Sequence, residues 1–169
     1  MYLEGNKVVR KDPREAYKYF RKAASLRNPL GLSGLGVMFL EGRGVRVDYD
    51  RAFKYFSLAQ QQNWVDGQIY LGIMYLNGWG VAKDTKAALK YFSLASGTGH
   101  ILAFYYIAEM HVMGLTGISS CSTAVDLFKS VSERGIWGTS LMEVCFCFVS
   151  SNFQLLFYLF ICITPLIFS

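Results

Sequence analysis

Two histidines, His100 and His111, and the pair Cys145-x-Cys147 are the residues whose types best suit metal or acid–base chemistry. The histidines stand eleven positions apart. Three helical turns bring them to a shared face, but about 16 Å apart along the axis, too far to hold one metal ion. The two cysteines are one residue apart, whereas zinc sites use gaps of about two to four and a second ligand pair. Of the remaining cysteines only Cys121 lies in the regular part of the chain, so no disulfide framework staples it. Gly42-x-Gly44 and Gly78-x-Gly80 could pass for phosphate loops. They follow helical rather than strand-like patterns and lack the lysine of a P-loop, so turns are expected instead. No nucleophile–base–acid set is found, and no catalytic, cofactor-binding or metal residue is assigned.

The elements that hold these residues repeat every 36 positions. Leu35-Gly36 recurs as Leu71-Gly72 and, softened, as Ile107-Ala108. Gly42-Arg43-Gly44-Val45 recurs as Gly78-Trp79-Gly80-Val81. Asp12, Asp48 and Asp84 keep the same step, as do Ala16, Ala52, Ala88 and Ala124, and Phe20, Phe56, Phe92 and Phe128. A fixed period of this size marks stacked supersecondary units that bury their apolar faces only against one another. At the step of His100 stand Trp64 and Asn28, and at that of His111 stand Tyr75 and Phe39, so both histidines read as packing residues.

Within the unit 63–99, the segment 65–77 has the apolar spacing of a buried helix. Gly67 and Gly72 within it, like Gly31 and Gly36, each cost about 1 kcal/mol relative to alanine. They are expected to flank one side of the helix and admit a neighbour's backbone. Gly78 and Gly80, like Gly42 and Gly44, supply the left-handed cap and the tight turn that follows. Asp84, Asp48 and Asp12 then act as N-caps, the last with Pro13 at the first helical position. The second helix carries Ala88, Tyr91, Phe92 and Ala95 on one stripe, with Lys18, Lys54 and Lys90 on the solvated side. First helices are expected at about 29–41, 65–77 and 101–113, and second helices at about 13–26, 49–62, 85–97 and 121–133.

These residues resemble the Sel-1-like repeat, a relative of the tetratricopeptide repeat. They combine an LGxxY-type helix (Leu71 to Tyr75), a GxGV turn, an aspartate, and a KAxxY-type helix (Lys86 to Phe92). The resemblance implies an all-α, right-handed α-solenoid of helix-turn-helix repeats, concave on one side. The run Gly97 to Tyr105, followed by Cys121 to Val125, is further similar to the animal Sel-1-like adaptor subfamily. That closer likeness implies location in the endoplasmic reticulum, lumen-facing or membrane-associated. It also implies protein partners in the Hrd-type ubiquitin ligase complex and its substrate receptors, in ER-associated degradation. The copies at Gly5-Asn6-Lys7 and Gly114-Leu115-Thr116-Gly117 depart from the GxGV pattern, and Ser120 stands where the aspartate is expected.

The repeat array is expected over 1–142, as three to four copies with the first and last incomplete, and a hydrophobic tail over 143–169. Residues 144–169 carry no charge, which is long enough for a bilayer span of about 20 residues. The tail is open to three readings: a membrane anchor, a segment from alternative splicing or readthrough without selected structure, or a core element folding back. The abrupt loss of period and the absence of a flanking basic cluster favour the second. With no capping repeat evident at either end, marginal stability is expected.

The net charge of +5 is concentrated in 1–27, which hold eight Lys/Arg and three Asp/Glu. Arg14, Lys18, Arg21 and Lys22 read as the solvated face of a packed helix. No aromatic–basic alternation points to nucleic acid. There is no N-x-S/T acceptor, and no signal-peptide pattern opens the sequence, so a luminal location is expected to need one upstream in a longer form. Trp79, between two turn glycines where Arg43 stands one copy earlier, is a candidate partner contact, with packing over the adjacent repeat's turn as the equal alternative. The function expected is a non-catalytic protein-interaction scaffold, by resemblance an adaptor of a ubiquitin ligase. The alternatives are a truncated, competing isoform and a scaffold tethered to a membrane by its tail.

Overall fold

The computed structural model describes residues 12–116 and 121–134, whose regular elements are all helical. In chain order they are α1 (Pro13–Ser25), α2 (Pro29–Glu41), α3 (Tyr49–Gln61), α4 (Val65–Asn77), α5 (Thr85–Ser96), α6 (Ile101–Val112) and α7 (Cys121–Arg134). Extensive packing joins each helix to its neighbours in sequence, which is the quasi-one-dimensional order of a solenoid. The tail 143–169 and the first glycine turn near Gly5 lie outside the described residues, as do Gly117 and Ser120.

Two kinds of helix alternate because their sequences bury different amounts of surface. α2 and α4 are apolar nearly all round and sit between two neighbours each. Leu35, Met38, Leu71, Met74, Ala108 and Met110 are all but excluded from solvent. α3 and α5 bury only a stripe, Ala52, Phe56 and Ala59 in one and Ala88, Phe92 and Ala95 in the other. Lys18, Lys54 and Lys90 point to solvent from the same layer.

The helical glycines answer two different neighbours. A Cβ at Gly67 would meet the backbone of α3, 2.9 Å from Gln60 N and from Phe56 O. A Cβ at Gly72 would instead lie 2.6 Å from the ring of Phe92 on α5. Five residues turn a helix by about 140°, so the pair does not share one side as the spacing suggested. Gly36 repeats the second arrangement, with the Phe56 ring 2.5 Å from its would-be Cβ. Each of these rings is fully buried and stacks, on its other side, on a tyrosine of the next copy: Phe56 on Tyr70 at 4.7 Å and Phe92 on Tyr106 at 4.9 Å.

The links from second helix to first also repeat. Arg27, Asn63 and Gly99 hold φ of 55°, 57° and 81° at the same repeat position. Only the last is a glycine, and a left-handed conformation costs an ordinary residue about 1–2 kcal/mol. Gln62 Nε2 donates to the Arg27 carbonyl at 3.0 Å and ties one link to the next.

Two outcomes are expected. Helix propensity alone would favour Gly72→Ala by about 1 kcal/mol, yet the variant should lose about 1–3 kcal/mol through collision with Phe92. Urea denaturation measures it, and a variant as stable as the parent would mean the ring has room to shift. Arg27→Gly should gain about 0.5–1 kcal/mol, the relieved strain being partly offset by the freer unfolded chain. A lower melting temperature would show that the arginine side chain itself holds the link.

Candidate interaction groove

The glycine turns after α2 and α4 are each closed by one aspartate acting on two helices. Gly42 and Gly78 end α2 and α4 with φ of 72° and 76°. Gly44 and Gly80 follow at 76° and 70° and pack against Pro13 and Tyr49, the first residues of α1 and α3. The Asp48 amide donates to the Phe39 carbonyl at 2.9 Å while its carboxylate accepts from Arg51 N at 2.9 Å. Asp84 does the same, with its amide on the Tyr75 carbonyl and its carboxylate on the amides of Lys86 and Ala87. Asp12 caps α1 through the amides of Arg14 and Glu15. Gly114 keeps a φ of 67°, and Leu115 N bonds the Met110 carbonyl as Trp79 N bonds that of Met74. The left-handed glycine and this bond survive the departure from the GxGV pattern, while α6 ends one residue earlier, capped at Met113, and Gly114 N bonds the His111 carbonyl.

These turns hold α2, α4 and α6 side by side, and a groove of about 630 Å³ runs across all three. Its lining follows the repeat. One position reads Leu30, Asp66 and Leu102 in successive copies, and another Gly34, Tyr70 and Tyr106. A third reads Val37 and Ile73, with Glu109 at the same step on α6. Leu30 and Leu102 are about half exposed, as residues waiting for cover are. The stacks on Phe56 and Phe92 fix Tyr70 and Tyr106 as a rigid floor. In the first copy Gly34 leaves no tyrosine over Phe20, whose ring reaches the groove itself.

The electrostatics of the floor come from burial. Burial first, and then the nearby Glu41 and Asp66 carboxylates, push the Tyr70 phenol above its ordinary range. Burial and Glu109 do the same to Tyr106. Glu109 is itself held above the usual carboxylate range by burial. Asp66 accepts from Trp64 Nε1 at 3.0 Å, and Glu41 pairs with Arg43.

Trp79 lies at the rim, about one-third exposed. Its ring stacks on Tyr49 with centroids 6.0 Å apart and planes 13° from parallel. It thus packs over the neighbouring copy while one face remains open. His100 precedes α6 and lines the groove, and His111 Nδ1 sits 3.1 Å from Thr116 Oγ1. Among the described residues no group of His, Cys, Asp or Glu comes together that could hold a metal ion, and no helix is long and apolar enough to cross a membrane. Trp137, Cys145, Cys147 and Cys162 lie outside the described residues. The groove-lining positions on the first helices were not singled out from the sequence, although reading those helices at the 36-residue step brings them into line.

The family model described as Sel1 repeat matches residues 1–28, 29–63 and 65–100. Among solved structures, the chain is similar to a Sel1 repeat protein from Oxalobacter formigenes at 32% identity and a TM-score of 0.70, over 80% of this chain and 55% of that one. It is similar to c5321, a protective antigen present in uropathogenic Escherichia coli strains displaying an SLR fold, at 30% identity and a TM-score of 0.67, over 78% of this chain and 28% of that one. It is similar to Helicobacter pylori cysteine rich protein B (hcpB) at 25% identity and a TM-score of 0.56, over 78% of this chain and 95% of that one. No curated protein matches it. The chain belongs to the Sel1 repeat family. It spans about half the length of the Oxalobacter protein and about a quarter of c5321.

Glu109 yields a pH-dependent expectation. Its folded-state pKa is raised, so the stability it contributes is full below the unfolded carboxylate value and is lost as pH rises through the folded one. Glu109→Gln should therefore be more stable than the parent near neutral pH and lose that advantage below about pH 4. Thermal melts across that range check it, and a constant difference would exclude the carboxylate as its source.

Proposed function

We propose that this member of the Sel1 repeat family is a non-catalytic scaffold that holds a protein partner in the groove across α2, α4 and α6. The observation that carries the reading is the lining itself: exposed Leu30 and Leu102 from the first and third copies and stacked Tyr70 and Tyr106 from the second and third share one continuous groove. A surface built by repetition suits an extended polypeptide, which can be read one copy at a time. Trp79 serves in this reading as a rim contact, already stiffened by Tyr49 and therefore ordered at small entropic cost.

The finer reading makes the partner a Hrd-type ubiquitin ligase complex and its substrate receptors, with the chain acting in the endoplasmic reticulum as an adaptor for degradation. Support for that step is the sequence likeness of Gly97 to Tyr105 and Cys121 to Val125. The three solved structures described above are bacterial.

The test is recovery of the ligase complex from mild-detergent ER extract by the immobilised full chain. Leu30→Ser, Leu102→Ser and Trp79→Ala, each at an exposed position, should reduce recovery by about tenfold together while leaving the fold in place by circular dichroism. Undiminished recovery by the triple variant would move the interface away from the groove. No recovery by the parent chain would end the ligase reading.

A further inference from the structure

The charges of this basic chain are sorted by layer. α2, α4 and α6 contain no lysine or arginine, and their carboxyl side chains are Glu41, Asp66 and Glu109. α1, α3 and α5 carry Arg14, Lys18, Arg21, Lys22, Arg51, Lys54, Lys86 and Lys90. The groove is thus lined by the acidic layer of a protein whose net charge is +5. Arg43, the arginine among its described lining residues, is paired with Glu41.

The repeat places these acids among apolar positions. Leu30, Asp66 and Leu102 occupy one lining position in three successive copies, so an acid stands between two exposed leucines. Val37 and Ile73 line the groove at a second repeat position, which Glu109 occupies on α6 outside the lining. Asp66 and Glu41 flank the phenol of Tyr70, whose ring offers a π-face beside two carboxylates.

We propose that the groove selects a polypeptide segment in which a lysine or arginine is flanked by apolar side chains, the cation seated between Asp66 and Glu41 against Tyr70 and the apolar groups on Leu30 and Leu102. This rests on the groove being the partner surface and adds the chemistry of the partner. Acidic segments are repelled by the same residues, so the arrangement discriminates as well as attracts.

The probe is a fluorescent dodecapeptide of alternating serine and leucine with one central lysine, titrated by anisotropy against the full chain. Companion peptides replace that lysine by norleucine or by glutamate. The lysine peptide is expected to bind about tenfold tighter than the glutamate peptide, with affinity falling as salt rises. Asp66→Asn with Glu41→Gln should abolish the preference while retaining the norleucine peptide, since asparagine can still accept from Trp64 Nε1. Equal binding of all three peptides, lost in the Leu30→Ser and Leu102→Ser variant, would overturn the charge selection and leave the groove as the partner surface. Binding of none would overturn both. A concentration-dependent dimer in sedimentation that the lysine peptide fails to dissociate would overturn the proposal in favour of a second copy, whose basic layer then fills the groove.

Discussion

The architecture depends on a ring fitting where a methyl group cannot. Phe56 and Phe92 enter hollows left by Gly36 and Gly72, and in each the position of a missing Cβ lies within 2.6 Å of ring carbon. Glycine inside a helix is a local disadvantage, and the chain accepts it twice because the ring buried there gains more. That ring is then held on its opposite side by Tyr70 or Tyr106 of the following copy. One side chain therefore joins its own repeat to the next, and the spacing between copies follows from the thickness of an aromatic stack.

The floor of the groove inherits its rigidity from the same contact. Tyr70 and Tyr106 present their outer faces because their inner faces are fixed, and the surface offered to a partner is the back of the core. A second series of stacks, Tyr55 on Phe39 and Tyr91 on Tyr75, pins the far ends of the first helices. His111 stands at the next step of that series and bonds Thr116 instead. The array thus has a stiff middle and an end where aromatic stacking gives way to polar contact.

Much of this was legible because the sequence marks its own boundaries. Aspartate before α1, α3 and α5 and glycine after α2 and α4 place those ends so closely that α1, expected over 13–26, spans Pro13–Ser25, and α4, expected over 65–77, spans Val65–Asn77. The stripe of Ala88, Tyr91, Phe92 and Ala95 likewise foretold the buried face of α5, except that Tyr91 is only half-buried, stacked on Tyr75. What was not legible was the direction in which each glycine faces. Gly67 and Gly72 are chemically identical in the sequence, and only packing reveals that one admits backbone and the other a ring. The groove fell between these cases. Its rows are visible at the repeat step, but a row of Leu, Asp and Leu has no meaning until three helices are known to stand side by side. The partner and the cellular compartment lie a further step away, since a binding surface has no single chemistry from which to read its ligand.

The two-sided role of Asp48 and Asp84 bears on how such a chain can change length. Each aspartate closes the last turn of one helix with its amide and opens the first turn of the next with its carboxylate. A single residue inserted between Gly78 and Asp84 would break one of those bonds or rotate the following helix off its ring. The connection has no slack in which a small insertion or deletion could hide. Duplication or loss of a complete unit, by contrast, rebuilds the same joint at either seam. The genetic events this protein tolerates best are therefore large ones, and its gene should vary in multiples of 108 nucleotides, the coding length of the 36-residue period.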